Sequence, residues 1–247
     1  EDKLKTLNDP RNSIVQSFHK AYLRNDDMQV ITGALSSAWT GKKGLTEVPF
    51  PSTQVIDITL GHSSAVTNAG LSEQKLILGQ EMFGLMELDP NDGDSVPYLT
   101  ITRKQITDML KNEHFINQDY AGFNALQSGK VAEFGWMGYK WILSELIPYI
   151  GADGKPVFEW DKANIDGTLN SKGRYIRPID RDGLDFRANF AWVKDGILFE
   201  RNPNKVIKMA ERTDKKFAMQ IFMSEEIGAT RMEEEKVVMF PCDQSPV

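Results

Sequence analysis

The longest acidic run in the chain is Glu233-Glu234-Glu235, which follows Arg231-Met232 and precedes Lys236. Clustered carboxylates can hold a cation or trade protons, and a metal-dependent hydrolase using Glu233, Glu235 and an aspartate is one reading. The surrounding residues read as extended chain, where successive side chains point to opposite faces. On that reading Glu233 and Glu235 share a face with Arg231, and Glu234 faces away. Ion pairing with Arg231 and Lys236, or contact with a neighbouring chain, accounts for such a face more economically than catalysis.

Other chemistry-bearing residues do not assemble into a site. His19, His62 and His114 lie in separate elements, and none has a second histidine or a cysteine at metal-ligand spacing. The turn Asp89-Pro90-Asn91-Asp92-Gly93-Asp94 resembles a calcium loop only in part. Its glycine is fifth rather than sixth, and its twelfth position is Thr100 rather than glutamate. The pairs Gly41-Lys42 and Gly129-Lys130 lack both the glycine spacing and the following serine or threonine of a phosphate loop. No Gly-x-Ser-x-Gly elbow is present. No catalytic residue, metal ligand or cofactor site is therefore assigned.

The elements that would position these residues begin with a long helix. Asp9-Pro10 is a helix start, and Ile14, Phe18, Ala21, Met28, Ile31, Leu35 and Ala38 recur at helical steps. Polar Asn25 interrupts the stripe and Arg24 to Asp27 are all polar, so part of the helix is expected to be exposed. Thr40 to Gly44 ends the helix, Gln54 to Leu60 reads as a short strand and Gly61 to Thr67 as a polar linker. Asn68 can cap a second helix carrying Leu71, Leu78, Met82 and Leu85, which stops at the Asp89–Asp94 turn. Strand and helix then alternate. Val96 to Ile101 is strand-like, Thr102 and Gln105 form a capping box, and Asp119 to Gln127 reads as a short helix. Val131 to Leu143 is expected to be extended, Gly151 to Asp185 an exposed excursion, and Phe190 to Leu198 a returning strand. Near the end, Lys205 to Glu211 and the alternating Phe217, Met219, Ile221 and Met223 make a long hairpin about the polar turn Arg212 to Lys216.

Composition narrows the function classes. The 247 residues are 40% hydrophobic and 26% charged, ordinary for a globular protein, and the net charge of −6 argues against a dedicated nucleic-acid binder. The single cysteine, Cys242, excludes an intrachain disulfide and fits a reducing compartment. No apolar run reaches membrane-spanning length and no signal-peptide pattern is present.

The ending Ile227-Gly228-Ala229-Thr230-Arg231-Met232-Glu233-Glu234-Glu235-Lys236-Val237-Val238 resembles the C-terminal end of tailed-bacteriophage major capsid proteins of the Hong Kong 97 phage type. Ala191 to Ile197, Thr102 to Leu110, Gly135 to Ile142, and Asp26-Asp27 through Gly41 resemble further segments of that family, in family order over nearly the whole chain. The resemblance implies an α+β fold: a long spine helix on a long-stranded sheet as peripheral domain, and a mixed α/β axial domain. It places residues 1–92 in the peripheral domain, 93–204 in the axial domain, 205–235 in the peripheral hairpin and 236–247 in a C-terminal strand and tail. It implies a structural coat protein that self-assembles through pentamers and hexamers into an icosahedral shell. The shell would enclose double-stranded DNA without sequence-specific binding, with scaffolding and portal proteins as further partners, no membrane and no cofactor. The localisation implied is the virion, after assembly in the host cytoplasm. An encapsulin-type nanocompartment shell is the nearest alternative.

The turn Arg212, Thr213, Asp214, Lys215, Lys216 and the Arg231, Glu233, Glu235 face become the expected subunit contacts. Family members carry an N-terminal arm and extended loop before the spine helix. Here the helix starts near residue 9, so those parts are expected to be absent from this chain, through truncation, proteolysis or maturation cleavage. Without them the chain is expected to persist as a monomer or small oligomer.

Overall fold

The computed structural model describes residues 10–61, 69–86, 95–109, 137–151, 154–158, 186–202, 206–215 and 218–244, with backbone alone at 10–15, 206, 207, 209, 218, 219 and 223. Helix α1 runs over Pro10–Leu35, 26 residues or about 39 Å at the usual rise. Proline suits its first turn because the missing N–H has no intrahelical acceptor there. Among the residues whose side chains are described, apolar burial falls in the C-terminal part, where Ile31, Ala34 and Leu35 are covered while Phe18 and Leu23 are exposed. Part of the helix is exposed as expected, although Asp26 within the polar run Arg24 to Asp27 is buried beside Arg201. Ala38 is not the last helical position but opens strand β1, Ala38–Thr40, which pairs antiparallel with β2, Thr46–Val48. Gly41 and Gly44 supply the positive φ values, 92° and 60°, that this turn requires.

The larger sheet is organised on β7, Phe186–Trp192. One edge of β7 pairs antiparallel along its whole length with β12, Val237–Asp243. Its other edge meets β3, Tyr98–Ile101, and β5, Tyr149–Ile150. Outside these lie β4, Lys140–Leu143, parallel to β3, and β6, Pro156–Val157, antiparallel to β5. The run Val237 to Cys242 is apolar throughout because both faces of the sheet are covered. Val238, Phe240 and Cys242 join Leu99, Ile101 and Trp141 in a core capped by helix α2, Glu73–Gly84, and helix α3, Arg103–Met109. Val237 and Met239, the alternate positions, face Ile31, Ala34 and Leu35 of α1 together with Ala188 and Phe190. The period of two thus divides one strand between two cores. Helix α2 packs on this sheet through the apolar side chains of Leu76 and Phe83.

Local chemistry accounts for the other differences. Gln54 to Leu60 is not a strand: a 3-10 turn at Ser52–Gln54 gives way to one parallel bridge, Val55 to Met239. Beyond it, Asp57 Oδ1 accepts from the Thr59 N–H at 2.9 Å and bends the chain. Ser72 caps α2, its side chain accepting from Lys75 N–H. Leu71 precedes that helix, and the expected cap Asn68 lies outside the described residues. Gln105 Oε1 accepts from the Thr102 N–H at 2.6 Å, as the capping box requires. Phe190 to Leu198 is broken by a 3-10 turn at Lys194–Gly196, after which β8, Ile197–Arg201, leaves the large sheet. The Asp89–Asp94 turn, the Asp119–Gln127 helix, residues 131–136 and most of 151–185 lie outside the described residues.

One buried cation ties this sheet to α2. Lys75 Nζ donates to the carbonyls of Ala69, Gly70 and Pro241 at 2.8, 2.9 and 2.7 Å. Burial pushes its pKa below the usual lysine value, opposed by Cys242, Asp243, Asp57 and Asp108 nearby. All three ammonium donors are used, which is what makes a buried lysine tolerable. Lys75→Met is expected to strand three carbonyls and lower stability by about 3 kcal/mol in urea unfolding. Cys242 is buried beside it, and burial raises its pKa to about 11. A disulfide reagent at about pH 8 is expected to label Cys242 at least tenfold more slowly in the folded subunit than in urea; equal rates would place the thiol at the surface.

Candidate assembly surfaces

Two separate two-stranded ribbons carry the residues expected to meet neighbours. In the first, β8 pairs antiparallel with β11, Ile227–Arg231. Ala229 and Arg231 face α1. The helix approaches so closely that a Cβ on Gly33 would sit 2.6 Å from the Ala229 carbonyl carbon. Arg201, on the same ribbon, pairs with both Asp26 and Glu225, and its Nε lies 2.8 Å from Glu225.

Arg231 does not present a cation to solvent. It is 4% exposed, and its Nη1 donates to the carbonyls of Ala34 and Ser36, each at 2.9 Å. Its Nη2 reaches the Val48 carbonyl at 3.5 Å, and its guanidinium carbon stands 5.0 Å from the centre of the Phe50 ring. The last carbonyls of a helix lack intrahelical donors and carry partial negative charge. The last turn of α1 contains no basic residue of its own, so Arg231 supplies the cation from 197 positions away. Burial lowers the pKa of Arg231, and the charge of Glu234 opposes that shift.

The shared face expected for Arg231, Glu233 and Glu235 does not form. Strand β11 ends at Arg231, and Glu234–Lys236 is a 3-10 turn, so strand alternation stops before the carboxylates. Glu233 and Glu235 are exposed, and Glu233 lies 3.0 Å from Lys236. The 3-10 turn instead lets Lys236 O accept from the Val193 N–H and delivers the chain into β12. Among the described residues no group of three His, Cys, Asp or Glu side chains could hold a metal ion.

The second ribbon pairs β9, Val206–Arg212, with β10, Ala218–Ser224. Arg212 closes β9 and Thr213–Lys215 form a 3-10 turn; Lys216 lies outside the described residues. Arg212 grips Asp214 with two donors, Nε at 2.9 Å and Nη2, which holds the aspartate pKa down and the arginine pKa up. Phe222 on β10 is 50% exposed. A lone two-stranded ribbon is marginal in water.

Two surface features were not anticipated from the sequence. The β1–β2 hairpin projects Trp39 and Leu45, 61% and 76% exposed, on either side of Lys42-Lys43. Its signal was present: glycines at both ends of a short polar turn between β-prone residues. On the other ribbon, an open groove of about 520 Å³ lies over the paired β8 and β11, lined by Leu198, Glu200, Glu226, Gly228, Ala229 and Thr230 among others.

The fold is a helix laid on an open ribbon beside a two-cored sheet, with hairpins that expose apolar side chains. Comparison with known proteins gives its family. The family model described as phage capsid protein matches residues 1–244. The chain resembles the capsid of cyanophage P-SCSP1u, with a TM-score of 0.55 and 12% identity over 96% of this chain and 67% of that one. It also resembles the mature capsid of bacteriophage PhiM1, with a TM-score of 0.51 and 10% identity over 97% of this chain and 66% of that one. This chain thus spans about two thirds of each structure's length. No curated protein matches it. The chain belongs to the phage capsid protein family, and its role is that of a structural major capsid protein.

Arg231→Ala is expected to leave the end of α1 without its cation and to cost about 3 kcal/mol in urea unfolding. Arg231→Lys is expected not to restore it, because an ammonium lacks the planar fork that reaches two segments. Glu233→Ala and Glu235→Ala should change stability by less than about 0.5 kcal/mol.

Proposed function

We propose that this protein is the repeating subunit of an icosahedral phage shell with the Hong Kong 97 phage-type fold. The observation that carries the reading is the family match, which runs through both the helix-on-ribbon layer and the β7–β12 sheet. In this reading α1 is the spine helix. With the β8–β11 and β9–β10 ribbons it makes the peripheral domain, while α2, α3 and the β7-centred sheet make the axial domain. In this reading β8 goes with the peripheral ribbon and β12 with the axial sheet, as their strand pairing supports.

The role is structural rather than enzymatic. Copies of the chain associate through several modest interfaces, and symmetry closes the shell where no single contact is tight. Pentamers and hexamers, packaged double-stranded DNA, scaffolding and portal proteins, and assembly in the host cytoplasm before residence in the virion complete the proposal. The net charge of −6 suits a wall that must not grip DNA during packaging and ejection. The phage family match favours this reading over an encapsulin shell.

Electron microscopy of the full-length protein is expected to show closed particles containing DNA; particles filled with an enzyme would support the encapsulin reading instead. Within the shell we assign the Arg212–Lys216 turn to contact between neighbouring subunits. Charge reversal by Arg212→Glu or Lys215→Glu should then reduce particle yield while leaving circular dichroism and the urea midpoint of the subunit unchanged. Undiminished yield from both variants would remove this turn from the interface.

A further inference from the structure

Resting on the capsid reading, the structure assigns a specific contact between copies: the β1–β2 hairpin of one subunit seats in the β8–β11 groove of the next. The two surfaces match in chemistry. The hairpin offers Trp39 and Leu45 as exposed apolar side chains and carries two cations, Lys42 and Lys43, at its tip, while its one acid, Glu47, stands opposite Trp39 on β2. The groove has an apolar floor, with Leu198 47% exposed beside Gly228 and Thr230, and a rim carrying Glu200 and Glu226. An apolar centre within a charged rim is the usual anatomy of a protein contact, and tryptophan is among its most frequent energetic anchors.

Geometry favours a neighbour over the subunit's own hairpin. The base of the hairpin is tied to the α1 side of the ribbon, because Arg231 donates to Ser36 O and Val48 O there. In the register of the ribbon, Leu198 stands opposite Thr230 and Glu200 opposite Gly228, and Gly228 and Thr230 alternate with the helix-facing Ala229 and Arg231. Most of the groove's lining therefore lies on the face away from α1, with Ile227 and Ala229 also contributing to it. Hairpin and groove are therefore two different patches of one molecule, turned away from each other. Such a pairing is head-to-tail, and repeated by rotation it closes a ring. A Cβ at Gly228 would meet nothing within 4 Å, which leaves its part of the floor open to an incoming side chain.

The test pairs cross-linking with charge exchange. The double variant Lys43→Cys, Glu200→Cys is expected to yield covalent oligomers on mild oxidation, with buried Cys242 remaining unreacted. Reversal of the hairpin by Lys42→Glu and Lys43→Glu should weaken self-association about tenfold, as should Glu200→Lys with Glu226→Lys, and joining the two reversals should restore it. Trp39→Ala should weaken association by about 30-fold, read by sedimentation over a concentration series. Unchanged circular dichroism would separate these losses from misfolding. Failure to cross-link at any concentration, or reversals that do not compensate, overturns the contact; DNA-filled particles of the full-length protein would then leave the capsid reading standing. Cross-linked oligomers of a full-length protein that forms no particles would do the reverse.

Discussion

The buried guanidinium of Arg231 is the constraint on which the rest of the arrangement depends. A 26-residue helix with only its last part covered needs its end held firmly. Close packing at Gly33 brings β11 against the helix backbone, and Arg231 then reaches the carbonyls that the helix cannot satisfy itself. The same side chain reaches Val48, so it also fixes where the β1–β2 hairpin leaves the body. Three segments far apart in sequence meet on one planar cation. Arg201 repeats the device further along the helix, joining Asp26 of α1 to the ribbon.

Legibility in the sequence followed the range of the forces involved. Helix α1, the β9–β10 hairpin and the Thr102–Gln105 box rest on local periodicity and turn chemistry, and each was readable from neighbouring residues. The resemblance carried by Ile227 to Val238 led to the right family. Features that depend on distant partners were not readable. Asp26 looked like a solvated charge because its partner is 175 residues away. The Glu233–Glu235 run looked like strand because nothing local announces a 3-10 turn, and that turn exists to pass the chain from the ribbon into β12. Lys75 carried no sequence signal at all: an ammonium that unites three carbonyls across the fold resembles any surface lysine on a helix.

The placement of the carboxylates also explains how charge is used in this subunit. Cations inside the body, Lys75, Arg187 and Arg231, donate to backbone carbonyls. Backbone acceptors hold a cation without bringing a second charge out of water, which lowers the desolvation cost of each knot. Arg201 is the exception, pairing with the covered carboxylates of Asp26 and Glu225, in a chain whose net charge is −6. On that acidic background the hairpin tip with Lys42 and Lys43 stands out, because Coulomb attraction between exposed groups is short-ranged in salt and rewards local contrast more than net charge. A subunit that repels its copies at long range and attracts them at a few matched patches favours correctly registered contacts over indiscriminate aggregation. Such contacts are individually weak enough to be corrected during assembly and become durable only when many are closed together.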